Sequence, residues 1–200
     1  MNRASILLLG GLAALAVSLL GALHAFTAQP IEAQRQAAAE RALLDLLPPA
    51  LYDNQPLANP LPLAAGLLEN PGPASSYLAT LGGRPSAVLL PVSAEGYSGR
   101  ISLLVAISPD GRLISSKVLQ HRETAGLGEL IERRRSPWLS GFDGMALSDD
   151  PARWALRDEG GAVDQISGAT VTSRAVRDAL QRSLRYFDSH RAELLGGHVP

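Results

Sequence analysis

The feature that most restricts the fold of this chain is a long uncharged segment near its amino terminus. From Ala4 to Phe26 there is no Asp, Glu, Lys or Arg, and Leu, Ala, Val and Ile predominate. In a helix these 23 residues would extend roughly 35 Å, which is enough to cross the hydrocarbon core of a bilayer. We therefore expect residues 1–28 to be a membrane anchor.

A cleaved signal peptide is the alternative interpretation of this segment. The apolar core of a signal peptide is usually about 7–15 residues long, and this run is longer. The cleavage sites near Ala25 and Ala28 are poor, because the bulky His24 and Phe26 stand where small residues are preferred. These points favour an uncleaved, single-pass anchor. Arg3 precedes the run, so the positive-inside rule places the rest of the chain outside the cytoplasm.

Composition excludes several classes of function. The chain has no cysteine, so thiolate-bound iron–sulfur clusters, disulfides and a thiol nucleophile are excluded. A net charge of -1 does not supply the basic surface that binding to nucleic acid requires. The four histidines show no metal-ligand spacing, and we expect no metal site. Any redox chemistry would therefore need an organic cofactor.

Residues 29–75 are expected to link the anchor to a folded domain. Good helix formers and a cluster of leucines predict a helical stalk over residues 31–47, ended by Pro48 and Pro49. Five prolines lie between residues 51 and 74, where they remove backbone donors that a sheet would need. We interpret this second part as an irregular wrapping segment.

Residues 76–200 are expected to form one domain of class α+β. Alternating apolar residues and glycine-containing turns predict four strands, over residues 77–81, 87–92, 101–107 and 113–119. Helical spacing of apolar residues predicts a C-terminal helix through Phe187, capped by Thr172 or Ser173. The predicted architecture is one N-terminal transmembrane helix, then a small, mainly antiparallel sheet domain with flanking helices.

A short helix is expected over residues 127–135, between the strands and the C-terminal helix. It would end in three arginines, residues 133–135, where cations suit the helix dipole. We interpret these arginines as a solvated helix end rather than as a docking patch.

Directly before the C-terminal helix stands the segment DQISGATVTS, residues 164–173. Unpaired N–H groups at a helix start favour an anion. Gly168 and Ala169 leave the backbone accessible, so that a phosphate could approach closely. On the residues alone, an ordinary capped helix start remains the simpler interpretation.

This segment resembles the attachment motif of covalent FMN-binding domains, Asp-x-x-Ser/Thr-Gly-Ala-Thr. The resemblance implies that the hydroxyl of Thr170 receives FMN through a phosphodiester, whereas Thr172 and Ser173 do not. It also implies recognition by a periplasmic flavin transferase, which passes FMN from FAD to the hydroxyl with the help of a divalent metal. The motif residues it would recognise are Asp164, Ser167, Gly168 and Ala169.

Two segments upstream are similar to further motifs of the same family. GYSG at residues 96–99 and ETAGLG at residues 123–128 resemble the family's GYxG and ETPGLG, with Ala125 in place of the usual proline. We expect that replacement to loosen the loop slightly. For His121 we favour an exposed position at a strand end over a role in proton delivery. The resemblance implies four further contacts to FMN, from Glu123, Thr124, Leu127 and Gly128.

The order of these features along the chain resembles the G subunits of Rnf- or Rsx-type ion-translocating electron-transport complexes. That resemblance implies a protein of the bacterial inner membrane, with its domain on the periplasmic side and with the other subunits as partners. The chain would relay electrons through its FMN and would have no catalytic site of its own. Three alternatives remain: the C subunit of a sodium-pumping NADH:quinone reductase, a flavin-bearing regulatory or sensing module, and an exported scaffold without cofactor.

Overall fold

The sheet is a five-stranded antiparallel meander in which each strand pairs with the next along the chain. The computed structural model describes residue 12, residues 46–63 and residues 66–196. The strands, in sequence order, are β1 (Leu61–Leu63), β2 (Ala74–Leu81), β3 (Arg84–Glu95), β4 (Arg100–Ile107) and β5 (Leu113–Gln120).

Tight turns set the register of the central strands. Gly82 and Gly83 connect β2 to β3 with φ angles of 59° and 74°. Two successive positive φ values are typical of the two-residue turn that matches the twist of a hairpin, and glycine adopts them without steric cost. Between β4 and β5 the chain turns through Asp110 and Gly111, and the N–H of Gly111 donates to the carbonyl of Ser108 at 2.9 Å.

Two α-helices and several 3₁₀ turns complete the described part of the chain. The short helix α1 comprises Pro151–Trp154, and the long helix α2 comprises Thr170–Leu194. The carboxylate of Asp150 caps α1 by accepting from the N–H of Ala152 at 2.9 Å. The 3₁₀ turns are Pro49–Leu51, Pro56–Ala58, Leu67–Glu69, Gly128–Ile131, Trp138–Phe142 and Arg157–Glu159.

Apolar residues cover both faces of the sheet. Val88, Leu90 and Val92 of β3 face the cluster that contains α2. Ala87 and Leu89, which alternate with them, face a second cluster built with Leu46 and Leu47. Because both faces are buried, the sequence of β3 is a nearly continuous run of apolar residues. Burial of each large apolar side chain contributes about 1.5–3 kcal/mol to folding.

The expected class α+β is confirmed: the sheet is antiparallel throughout and helices flank it. The four expected strands are present as β2 to β5. The proline-rich segment, however, is not wholly irregular, because it contributes the three-residue strand β1. Pro62 is tolerated there because β1 is an edge strand, where one side of the backbone needs no partner.

Two expected helix boundaries are wrong. Helix α2 begins at Thr170, with Ala169 as the N-cap residue, rather than after a cap at Thr172 or Ser173. Both hydroxyls are buried inside the first turn and bond to other groups. The helix expected over residues 127–135 is reduced to the 3₁₀ turn Gly128–Ile131.

The expectation that residues 133–135 form a solvated helix end is wrong for Arg133, which bonds to protein groups. Its guanidinium donates to the carbonyl of Ser116 at 2.6 Å, to the hydroxyl of Ser140 at 2.6 Å and to the carboxylate of Asp143 at 2.5 Å. It therefore ties β5 to the 3₁₀ turn Trp138–Phe142. The other two arginines form ion pairs with Glu132 and Glu129.

The expected membrane helix over residues 4–26 and most of the expected stalk lie outside the described residues. Among the helices that the structure describes, none has both the length and the apolar character needed to cross a membrane.

Candidate functional site

The first turn of α2 offers backbone donors to an anion. Ala169, at the N-cap position, provides no side-chain hydrogen bond to the turn. The first intrahelical bond runs from the N–H of Ser173 to the carbonyl of Ala169, at 2.9 Å. The N–H groups of the three preceding residues have no intrahelical acceptor, as is usual at a helix start. Together with the helix dipole, they make this turn favourable for a phosphate.

Three hydroxyl groups stand on this turn, and they differ in availability. The hydroxyl of Thr172 is buried and donates to the carboxylate of Glu123. The hydroxyl of Ser173 is also buried, accepts from the N–H of Ile166 at 3.1 Å and donates to the carbonyl of Ala169 at 3.0 Å. Thr170 is half-buried, and its hydroxyl has no hydrogen-bond partner within residues 46–63 and 66–196. Of the three hydroxyls, that of Thr170 is therefore the one without a hydrogen-bond partner among the described residues.

Glu123 connects the first turn of α2 to two neighbouring segments. Its side chain is buried, with the residue only 8% exposed. One carboxylate oxygen accepts from the N–H of Ser98 at 3.0 Å, and the other accepts from the N–H of Tyr97 at 3.3 Å and from the hydroxyl of Thr172. A buried carboxylate requires such donors, because an unpaired charge in the interior is costly. Glu123 thus joins the β3–β4 turn, the loop after β5 and the start of α2.

The two predicted segments meet directly at Gly168 and Leu127. Gly168 has a φ angle of 75°, which favours glycine. A Cβ atom placed there would lie 3.1 Å from the Cδ2 atom of Leu127. The residue directly before the N-cap is therefore packed against the loop that follows β5, and a side chain at this position would require Leu127 to shift by a few tenths of an ångström.

Asp164, the first residue of the predicted motif, is held from two sides. Its carboxylate forms an ion pair with Arg157. Its backbone carbonyl accepts from the indole N–H of Trp138 at 2.5 Å. These contacts fix the start of the 164–169 loop, and the side chain of Asp164 remains exposed.

Exposed apolar side chains surround the start of α2. Tyr97 is 76% exposed, Val171 is 52% exposed and Leu127 is 42% exposed. Each belongs to one of the three segments that Glu123 joins. Such side chains provide a surface on which an aromatic ring could pack.

Charged residues on α2 pair with the turn before it. Arg174 donates to the carboxylates of Asp158 at 2.7 Å and of Glu159 at 2.9 Å. Arg177 donates to the second oxygen of Glu159. This hydrogen bond from Arg177 is the main reason that the pKa of Glu159 is lowered from its ordinary value. The turn Arg157–Glu159 is thereby held against the helix.

This lowered pKa predicts a dependence of stability on pH. A carboxyl group whose pKa is lower in the folded state stabilises the fold above its unfolded pKa, and that contribution is lost as the pH falls through the folded value. We expect Glu159→Gln to reduce the free energy of unfolding by about 0.5–1 kcal/mol at neutral pH, and by progressively less below about pH 4. Urea denaturation at several pH values measures this. Glu193→Gln, at an exposed position of α2, is the control; an equal loss in both variants would contradict the expectation.

The structure brings most predicted site residues together and separates others. Glu123, Leu127 and Gly128 lie beside Gly168 and the start of α2. Thr124 contributes its carbonyl, which accepts from the N–H groups of Leu127 and Glu129 at 3.2 Å, whereas its side chain faces solvent. Asp164 and Ser167 are exposed at the outer side of the loop.

Sequence reasoning missed two contacts of this site and misjudged one residue. Nothing in the pattern indicated that Trp138 reaches the carbonyl of Asp164, or that Glu123 bonds Thr172. His121 is not an exposed strand end: its imidazole is 13% exposed, and its Nδ1 accepts from the N–H of Glu123 at 3.1 Å. Its Nε2 lies 3.0 Å from the carboxylate of Glu132. His121 therefore orients the backbone that carries Glu123.

Residues 96–185 match the family of FMN-binding domains. The match begins at the β3–β4 turn and ends within α2, so that it contains every segment joined by Glu123. A phosphate-bearing flavin is a suitable ligand for a helix start with free backbone donors and exposed apolar neighbours. The fold and the site together define a domain of the FMN-binding class.

Comparison with known proteins narrows this class. The chain is 50% identical to the G subunit of the ion-translocating oxidoreductase complex of Pseudomonas aeruginosa, over 94% of this chain and 90% of that protein. It is 41% identical to the corresponding G subunit of Cereibacter sphaeroides, over 94% of this chain and 85% of that protein. The chain belongs to this family, the G subunits of ion-translocating oxidoreductase complexes.

A solved structure agrees with this fold. The crystal structure of NqrC from Shewanella oneidensis superimposes with a TM-score of 0.50, covering 76% of this chain and 75% of that one. The sequence identity is 24%, so the likeness concerns the fold alone.

Proposed function

We propose that this chain is the electron-transfer subunit of a membrane-bound, ion-translocating oxidoreductase complex and that it carries FMN covalently on Thr170. Its relatives are named as subunits of such a complex, and residues 96–185 match an FMN-binding domain. The proposed attachment site is supported by the difference in burial and hydrogen bonding among the three hydroxyls on the first turn of α2. The hydroxyls of Thr172 and Ser173 are buried and hydrogen-bonded, and the hydroxyl of Thr170 has no partner among the described residues.

The residues around Thr170 fit a flavin phosphate. The free N–H groups of the first turn of α2 would bind its oxygens, and Gly168 presents no side chain that would obstruct them. Leu127, Val171 and Tyr97 offer apolar surface within the same three segments. When bound, FMN supplies the one- and two-electron chemistry that no side chain of this chain provides.

Attachment by a periplasmic flavin transferase is a phosphoryl transfer to Thr170. The oxygen of the threonine hydroxyl forms a bond to the FMN phosphorus of FAD. The bond between that phosphorus and the bridging pyrophosphate oxygen breaks, AMP leaves, and the hydroxyl proton is released. Motif residues Asp164, Ser167 and Gly168 are exposed on the loop before the acceptor, where a transferase could recognise them. Ala169 is buried, and we propose that it serves recognition through the backbone that it shapes at the N-cap of α2.

The remaining contacts and the domain limits belong to the same proposal. Glu123, Thr124, Leu127 and Gly128 would line the flavin side of the site. Residues 1–28 would anchor the chain as a single pass in the bacterial inner membrane. Residues 29–75 would connect this anchor to residues 76–200, which would form the FMN-binding domain in the periplasm. The uncharged run from Ala4 to Phe26, preceded by Arg3, supports this topology. The bilayer, the transferase and the other subunits would be its partners.

The proposal is tested on the full chain, exported together with a flavin transferase and purified in detergent. Intact mass spectrometry should show the addition of one FMN moiety, and fragmentation of the peptide that spans residues 164–173 should place it on Thr170. The absence of an adduct, with a transferase shown to modify another substrate, would overturn the proposal. An adduct on Thr172 or Ser173 would overturn the assignment of the acceptor.

A further inference from the structure

The carboxylate of Glu123 makes more hydrogen bonds to protein groups than a residue that only contacts a ligand would make. Both of its carboxylate oxygens already accept hydrogen bonds, from two backbone N–H groups of the β3–β4 turn and from the hydroxyl of Thr172. The residue is 8% exposed, so its charge depends on these donors rather than on water. Hydrogen bonds to a charged acceptor are about twice as strong as those between neutral groups.

Two glycines are needed for the carboxylate to reach this position. A Cβ atom on Gly96 would lie 2.9 Å from the Cδ atom of Glu123 and 2.7 Å from a methyl group of Ile101. A Cβ atom on Gly128 would lie 2.6 Å from the Cβ atom of Glu123. The segments on both sides of the glutamate are thus shaped around its side chain. His121 adds a further restraint by accepting the backbone N–H of Glu123 at 3.1 Å.

The partner of this carboxylate on α2 is two residues beyond the proposed acceptor. Thr172 and Thr170 stand on the same first turn, and one is buried whereas the other is half-exposed. Successive residues on a helix project about 100° apart, so fixing Thr172 toward the interior fixes the direction of Thr170. Ser173 adds a second restraint through its bonds to Ile166 and Ala169.

We propose that Glu123 is a positioning residue for flavin attachment: through Thr172 it holds the first turn of α2 so that the Thr170 hydroxyl faces outward, toward the incoming phosphorus. This inference rests on the proposed function and specifies which contact prepares the acceptor. In this role Glu123 acts through Thr172, in addition to the proposed position of Glu123 on the flavin side of the site. The hydroxyl of Thr172 is the donor that carries the effect.

The decisive variants test the hydroxyl of Thr172. Thr172→Val keeps the shape and removes the donor, and Thr172→Ser keeps the donor. Ser183→Ala is the matched control, because Ser183 is another buried hydroxyl of α2 that bonds within the helix, to the carbonyl of Ala179 at 2.9 Å. For each full-length chain, the rate of FMN incorporation by a purified transferase is measured at saturating FAD, together with the thermal unfolding midpoint.

We expect Thr172→Val to lower the maximal rate of incorporation about tenfold or more, which is the effect expected from loss of one hydrogen bond to a charged group. Thr172→Ser should restore most of that rate, and Ser183→Ala should leave it unchanged even if it lowers the unfolding midpoint. A rate for Thr172→Val equal to that of Ser183→Ala would overturn the proposal.

If Thr172→Val does not fold, Glu123→Gln replaces it in the comparison, and an unchanged rate in that variant would likewise overturn the proposal. Failure of the proposed function gives a different result, because the unsubstituted chain would then incorporate no FMN at all.

Discussion

Thr170→Ala is expected to leave the chain without covalent flavin while leaving its fold intact. The substitution removes the proposed acceptor, and the neighbouring hydroxyls of Thr172 and Ser173 are buried and hydrogen-bonded. Because no described residue bonds the Thr170 hydroxyl, its loss should change the free energy of unfolding by no more than about 0.5 kcal/mol. In-gel flavin fluorescence and intact mass measure incorporation, and urea denaturation measures stability.

Thr170→Ser is the matched control for this experiment, since it retains a hydroxyl at the same position of the turn. We expect it to regain covalent flavin. Within the assembled complex, electron transfer should be lost with Thr170→Ala and should return with Thr170→Ser. Normal flavin content in the alanine variant would show that the acceptor lies elsewhere.

Gly161→Ala is expected to destabilise the domain by about 3 kcal/mol or more, which is at the upper end of the cost of overpacking. A Cβ atom on Gly161 would overlap the backbone carbonyl of Ala155, and backbone atoms cannot move aside as a flexible side chain can. This turn is closed by the N–H of Gly161, which donates to the carbonyl of Leu156 at 2.9 Å, and it leads into the loop that carries Asp164. The loss is measured as a lower midpoint in urea denaturation.

Gly141→Ala provides the contrast, because a Cβ atom there meets nothing within 4 Å. Its effect should remain within about 0.5 kcal/mol of zero. Equal stability of the two variants would contradict the close approach of Gly161 to the Ala155 carbonyl.

Local signals predicted most of the sheet and the long helix. The Gly82-Gly83 and Asp110-Gly111 turns mark hairpins, and apolar spacing identified α2. Strand β1 was not predicted, because three residues that include a proline give no periodic signal. Its formation depends on pairing with β2, which is a tertiary effect.

The resemblance to family motifs predicted which two segments form the candidate site, but not the hydrogen bonds that connect them. The motif at residues 164–170 pointed to the proposed acceptor, and the residues from Glu123 to Gly128 were associated with it by resemblance. The bond between Glu123 and Thr172 joins residues 49 positions apart, and spacing along the chain does not report such a contact. The same holds for the bond from Trp138 to the carbonyl of Asp164, across 26 positions.

The long sequence separation between Glu123 and Thr172 has a consequence for the maturation of the protein. The carboxylate and the hydroxyl meet only after the β3–β4 turn, the loop after β5 and the first turn of α2 have assembled, and α2 is the last described element to be synthesised. With Thr170 as the proposed acceptor, an unfolded polypeptide would present its motif without this geometry. Cofactor loading would then follow folding, and a loaded chain would mark a domain that has completed its tertiary structure.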